Sequence, residues 1–100
     1  MTERLSDDQV ERRLDDLNGR VSGVKWHVHD GKLSKEFVFK DFVEAFGFMT
    51  QAAIHAQAMD HHPEWFNVYK KVDVRLATHE AGGITELDFE LAGRMESAAG

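Results

Sequence analysis

The sequence predicts an α+β domain in which an antiparallel sheet carries helices over its apolar face. Three observations predict it. The hydrophobic period switches between 3.6 and 2 in the order helix, strand, strand, helix, strand, helix. Asp30-Gly31 sits as a tight-turn signal between two alternating runs. The chain of 100 residues, 42% hydrophobic with one Pro and no Cys, suffices for one compact domain over residues 1–100 and is too short for two.

Ser6 followed by Gln9 forms a capping-box pattern, and Val10, Leu14 and Leu17 recur on one face of a helix ending near Asn18-Gly19. From Val21 the period becomes two: Val24, Trp26 and Val28 alternate with Lys25, His27 and His29. After the turn, a return strand is expected from Lys32 to Lys40, with Leu33, Phe37 and Phe39 on one face and Lys35 as a polar intrusion among them. Between Asp41 and Met59 the residues Phe42, Ala45, Phe46, Met49, Ala52, Ala53 and Ala56 predict the core face of a long helix. Glu44, Gln51 and His55 share the opposite stripe with Phe48, whose exposure would indicate a subunit contact. Pro63 stops that helix. Trp65 to Tyr69 reads as a short extended segment and Val72, Val74 and Leu76 as a strand ending near Thr78. Thr85 and Asp88 signal the start of a last helix with Leu87, Leu91 and Met95 inward, and Ser97 to Gly100 are expected to fray.

Composition excludes several function classes. Without Cys there is no disulfide, thiolate metal site or Cys nucleophile. A net charge of -6 repels phosphate backbones and anionic lipid, so neither nucleic acid nor membrane is expected as a partner. The N-terminus lacks a secretory profile and no apolar run is long enough to span a bilayer, so a soluble, cytoplasmic protein is expected. Phosphate-cradling glycine loops and the G-x-S-x-G nucleophile elbow are absent. The unusual residues are six histidines, whose imidazoles titrate nearest neutral pH.

His27 and His29 occupy the polar phase of a strand, and His55 the polar stripe of a helix; solvent-facing placement accounts for all three. Asp60-His61-His62-Pro63 differs, because two imidazoles and a carboxylate stand where a helix must terminate. Such an end can aim side chains into a cleft, although His near a helix C-terminus also interacts favourably with the dipole. His79 follows a strand, a frequent location for function. His61, His62 and His79 could in principle hold zinc, but neither H-E-x-x-H nor a Cys/His zinc spacing is present, and no metal is expected.

The segment Asp60-His-His-Pro-Glu-Trp-Phe-Asn-Val-Tyr-Lys-Lys-Val72, followed by Thr78-His79-Glu80, closely resembles the pterin-4a-carbinolamine dehydratases. The compound signature is His61, His62, Pro63, Tyr69, His79 and Asp88, and the order of elements from Ser6 to Met95 is similar to the family's. Gln57 stands where the family usually has a charged residue. The resemblance implies a four-stranded antiparallel sheet with helices on one face and assembly as homodimers or homotetramers. It also implies dehydration of 4a-hydroxytetrahydropterin to quinonoid dihydropterin, recycling the cofactor of an aromatic amino-acid hydroxylase. His61 and His79 are then expected as the acid/base pair and His62 as the group orienting substrate. Asp60, Pro63, Trp65 and Gln57 are expected around the substrate, with Asp60 fixing a His tautomer and Trp65 walling the pterin ring. Pterin is the substrate, and no cofactor is required. The alternative is a non-catalytic binding or dimerisation module that regulates transcription or a hydroxylase.

Overall fold

The computed structural model describes residues 2–100. The elements are α1 (Asp7–Asn18), β1 (His27–His29), β2 (Lys32–Val38), α2 (Phe42–Met59), β3 (Glu64–Val68), β4 (Lys71–Leu76), a single 3-10 turn (His79–Ala81) and α3 (Glu86–Ala99). The strands form one antiparallel sheet in the order β1-β2-β4-β3. The α+β class is therefore as the sequence predicts, and the extended segment after Pro63 is the fourth strand.

Local chemistry explains most boundaries. Ser6 and Gln9 make the reciprocal capping box at α1, and Thr85 and Asp88 make another at α3. Asp30 and Gly31 both have positive φ, as a two-residue hairpin with the right twist requires. The first strand is shorter than the alternation from Val21 suggests. Asn18 clasps Trp26, its Oδ1 accepting from the Trp26 N–H at 2.8 Å and its Nδ2 donating to the Trp26 carbonyl at 2.9 Å. With the main chain of Trp26 bonded to a side chain, strand pairing starts only at His27, and Val24 is left exposed. At the other end, α3 runs to Ala99 rather than fraying from Ser97, because Ala98 and Ala99 pack against the core.

One sheet face, carrying Leu33, Phe37, Val72, Val74 and Leu76, is buried under the helices, while Glu36, Val38, Phe66 and Val68 on the other are exposed. The polar intrusion Lys35 is buried on the inner face. Its ammonium meets Glu96 at 2.6 Å, and the same carboxylate oxygen accepts from Trp26 Nε1 at 2.8 Å, so the charge is compensated where it lies. Among the described residues no helix is long and apolar enough to cross a membrane.

The face assignment of α2 is corrected. Phe48 is 3% exposed and packs on Phe37 with ring centroids 4.6 Å apart, whereas Phe46 is 56% exposed and Phe42 also faces outward. The inward stripe is Ala45, Phe48, Ala52 and Ala56. Nearly every turn of α2 has apolar residues on two sides, so spacing alone admits either phase. The sheet decides, since Phe37 and Phe39 offer an aromatic bed for Phe48. Burying such a ring contributes about 1.5–3 kcal/mol.

Candidate active site

The end of α2 aims the paired imidazoles. Asp60 adopts the left-handed conformation at the helix end, φ 52° and ψ 42°, a region that Asp tolerates better than most residues. The His61 N–H reaches the Ala56 carbonyl at 3.0 Å and the Asp60 N–H the Gln57 carbonyl at 3.1 Å, the bonding of a Schellman stop. This reversal sends His61 into the interior and leaves His62 exposed, with Pro63 barring any further helical turn.

Inside, His61 Nε2 lies 2.5 Å from Asp88 Oδ1. Asp88 is 0% exposed, and its other oxygen accepts from the Thr85 N–H at 2.9 Å and the Thr78 hydroxyl at 3.0 Å. Because the Thr78 proton goes to Asp88, the 2.8 Å contact between the two threonine hydroxyls runs from Thr85 to Thr78. Thr85 Oγ1 in turn accepts from the Leu87 N–H at 3.2 Å. Among the described residues no buried side-chain polar atom lacks a partner. One carboxylate thus caps α3 with one oxygen and orients an imidazole with the other. An ionised carboxylate only accepts, so His61 carries its proton on Nε2 and Nδ1 is the nitrogen left for a ligand.

His62 and His79 complete the cluster. His62 Nε2 lies 3.1 Å from Gln57 Oε1, and His79, with its side chain 81% exposed, has Nε2 3.5 Å from Glu64 Oε2. Asp60, His61, His62, Ala77, His79 and Glu80 line a cleft of about 170 Å³. That is below the roughly 300–1,000 Å³ of sites that enclose a small molecule, so a flat ligand would lie against this cleft. A larger cavity of about 490 Å³ lies at the far end of α3 around Lys35 and Glu96. Lys35 and Glu96 are bonded to each other there, and no imidazole lines it.

The structure therefore brings His61, His62, His79 and Asp60 to one cleft and ties Gln57 to it through His62. The orienting carboxylate of His61 is Asp88, not Asp60. Trp65 points to the inner side of β3 against the core, and neither it nor Pro63 lines the cleft. Tyr69 stands at the opposite end of β3, in the turn to β4 with φ 53°. His27 and His29 lie on edge strand β1, and His55 is half-buried with Nδ1 3.4 Å from Arg94 Nη1. No group of three or more His, Asp or Glu among the described residues is disposed to hold a metal ion. Thr78 and Thr85 were not expected at the site. Thr78 stands in the Thr78-His79-Glu80 segment without a role of its own, and the signal at Thr85 is the capping pattern Thr85-x-x-Asp88, which marks a helix start and is silent about a histidine.

Comparison with known proteins places this geometry in context. A family model described as pterin 4 alpha carbinolamine dehydratase matches residues 3–98. A protein of Rhizobium johnstonii, named provisionally as a pterin-4-alpha-carbinolamine dehydratase, is 57% identical over 99 residues, covering 97% of this chain and 92% of its own. A crystal structure from Brucella melitensis, described as a transcriptional coactivator/pterin dehydratase, is 47% identical with a TM-score of 0.88, covering 98% of this chain and 100% of the other. A pterin dehydratase-like protein identified as a RuBisCO assembly factor in the alpha-carboxysome shares the fold at a TM-score of 0.63 and 20% identity, over 79% of this chain and 92% of that one.

Proposed function

The chain belongs to the pterin 4-alpha-carbinolamine dehydratase family, and from that premise we propose that it dehydrates 4a-hydroxytetrahydropterin to quinonoid dihydropterin and water. The reaction follows turnover of an aromatic amino-acid hydroxylase and returns its pterin to use. The observation that carries the reading is the meeting of three imidazoles at one cleft, two of them facing a carboxylate.

The reaction needs two proton transfers. A base removes the N5 proton, the electron pair forms the C4a=N5 bond, and the C4a–O bond breaks as an acid protonates the departing hydroxyl. Atoms and charge balance without an electron acceptor. Imidazoles with a pKa of about 6.5 supply both protonation states at neutral pH. His61 and His79 are the transferring pair. Asp88 holds the His61 ring with Nδ1 free, and an imidazolium formed there gains from the buried carboxylate at Nε2. His62 faces a neutral amide rather than a carboxylate, which suits a group that hydrogen-bonds substrate. The test is the decay of freshly generated 4a-hydroxytetrahydropterin followed by ultraviolet absorbance. Acceleration that persists in EDTA is expected; loss of the acceleration in EDTA would point to a metal instead, and none by folded protein would refute the reading.

Association of two or more copies belongs to the same reading. Along α2, Val43, Phe46 and Ile54 are exposed one to three turns apart with Gly47, Thr50 and Ala53 between them, a face without charge. Bulky groups at its ends and small ones at its centre can pack on a second α2 across a two-fold axis. The mass in light scattering is expected to fall to that of a monomer in Phe46→Glu/Ile54→Glu; an unchanged mass would place the contact elsewhere. The same face favours the second reading, a dimerisation module that regulates a partner. Absence of dehydration by folded protein, with the assembly intact, would select it.

A further inference from the structure

Resting on the dehydratase reading, we propose that Glu64, itself anchored by Lys32, is the positioning residue for His79. His79 needs one. It sits in a single 3-10 turn with its side chain 81% exposed, and an exposed side chain divides its time among rotamers unless something holds it. His61 is held by burial and by Asp88; nothing comparable surrounds His79. Its charged contact is Glu64, with Oε2 3.5 Å from Nε2.

Glu64 is placed for this by the sheet. It opens β3 directly after His61-His62-Pro63 and pairs with Arg75 on β4, which pairs on its other side with Ser34 of β2. Lys32 opens β2 and reaches across to donate from Nζ to Glu64 Oε1 at 2.8 Å. The two oxygens of one carboxylate are thus divided, Oε1 to the ammonium and Oε2 to the imidazole. The Lys32 hydrogen bond, with smaller contributions from the charges of His79 and Arg75, holds the Glu64 carboxyl below the usual range and so ionised at neutral pH. Glu64 does not line the cleft, whereas His79 does. The carboxylate therefore acts on the ring from outside the cleft, leaving Nδ1 for substrate, as Asp88 does for His61. The other charged or titratable groups about the pair are Lys32 and Arg75, which act on Glu64, and Asp60, His61, His62 and Glu80, which line the cleft with His79. A contact of 3.5 Å is longer than a good hydrogen bond, so the carboxylate holds the ring by charge when the imidazole is protonated.

The experiment compares Glu64→Ala, Glu64→Gln and Lys32→Met with the parent in two measurements. The first is dehydration kinetics. Glu64→Ala is expected to lower kcat about tenfold with KM within twofold, because binding groups remain while one transferring imidazole is left unaligned. Glu64→Gln, which keeps an acceptor oxygen, should recover part of that loss, and Lys32→Met should fall between. The second is the His79 side-chain rotamer from three-bond NMR couplings, expected to be single in the parent and averaged in Glu64→Ala. A Glu64→Ala protein with parental kcat and an unaltered His79 rotamer, in which His79→Ala is still inactive, would overturn the role of Glu64 and leave the dehydratase reading standing. Since the rotamer measurement needs no turnover, an inactive parent would sink the functional reading separately.

Discussion

Replacing His79 with Ala is expected to lower the dehydration rate by on the order of a hundredfold or more while leaving the thermal midpoint within about 3 °C of the parent. The two expectations follow from one fact. The His79 side chain is 81% exposed, and its ion-pair partner among the described residues is Glu64, with Oε2 at 3.5 Å, so its removal opens no cavity and orphans no buried group. Whatever it contributes is therefore chemical. Absorbance kinetics and a thermal melt on the same preparation check both halves. A rate within twofold of the parent would remove His79 from the acid/base pair, and a large fall in midpoint would mark it as structural.

Asp88→Asn is expected to damage both stability and activity, because one amide cannot do what the carboxylate does. Oδ2 accepts from the Thr85 N–H and the Thr78 hydroxyl while Oδ1 faces His61 Nε2. An Asn has a single oxygen. Turned toward the threonines, it presents its NH2 to Nε2, drives the imidazole proton to Nδ1, and converts the nitrogen offered to substrate from acceptor to donor. Turned the other way, it faces two donors with a third and uncaps α3. The first orientation exchanges a charge-assisted bond to His61 for a neutral one, at about 1 kcal/mol, and the second leaves a buried donor unpaired, at about 1–3 kcal/mol, so the thermal midpoint of a domain this size is expected to fall by roughly 4–20 °C. The rate is expected to drop at least a hundredfold. Nitrogen-15 shifts of the His61 ring distinguish the two orientations, and a parental rate with the His61 proton still on Nε2 would refute the coupling of cap and site.

Much of the site was legible before any fold was known. The run Asp60-His61-His62-Pro63 marks a helix end that concentrates imidazoles, and with His79 it identifies four of the residues that line the cleft. What spacing did not convey is which carboxylate serves which ring. Asp60 is adjacent in sequence to His61, yet its left-handed conformation turns the chain and gives His61 to Asp88, 27 residues away. Trp65 looks like a wall for a flat ring when read along the chain, and Tyr69 belongs to the same run. Alternation along β3 sends Trp65 to the core, and the length of the strand carries Tyr69 to its other end.

By itself the sequence determined the α+β class, the caps at Ser6 and Thr85, the Asp30-Gly31 turn and the stop at Pro63, all of which depend on residues within a few positions of one another. Tertiary structure alone decided which stripe of α2 faces the sheet, where β1 begins, and how His61 and His79 are held. In each case the deciding group comes from a distant segment: the Phe37 and Phe39 rings under Phe48, the Asn18 side chain on Trp26, and Asp88 and Glu64 behind His61 and His79. A periodic pattern records how apolar a face is. It does not record what lies opposite, and for a helix apolar on two sides, or an imidazole free to turn, the group opposite determines the outcome.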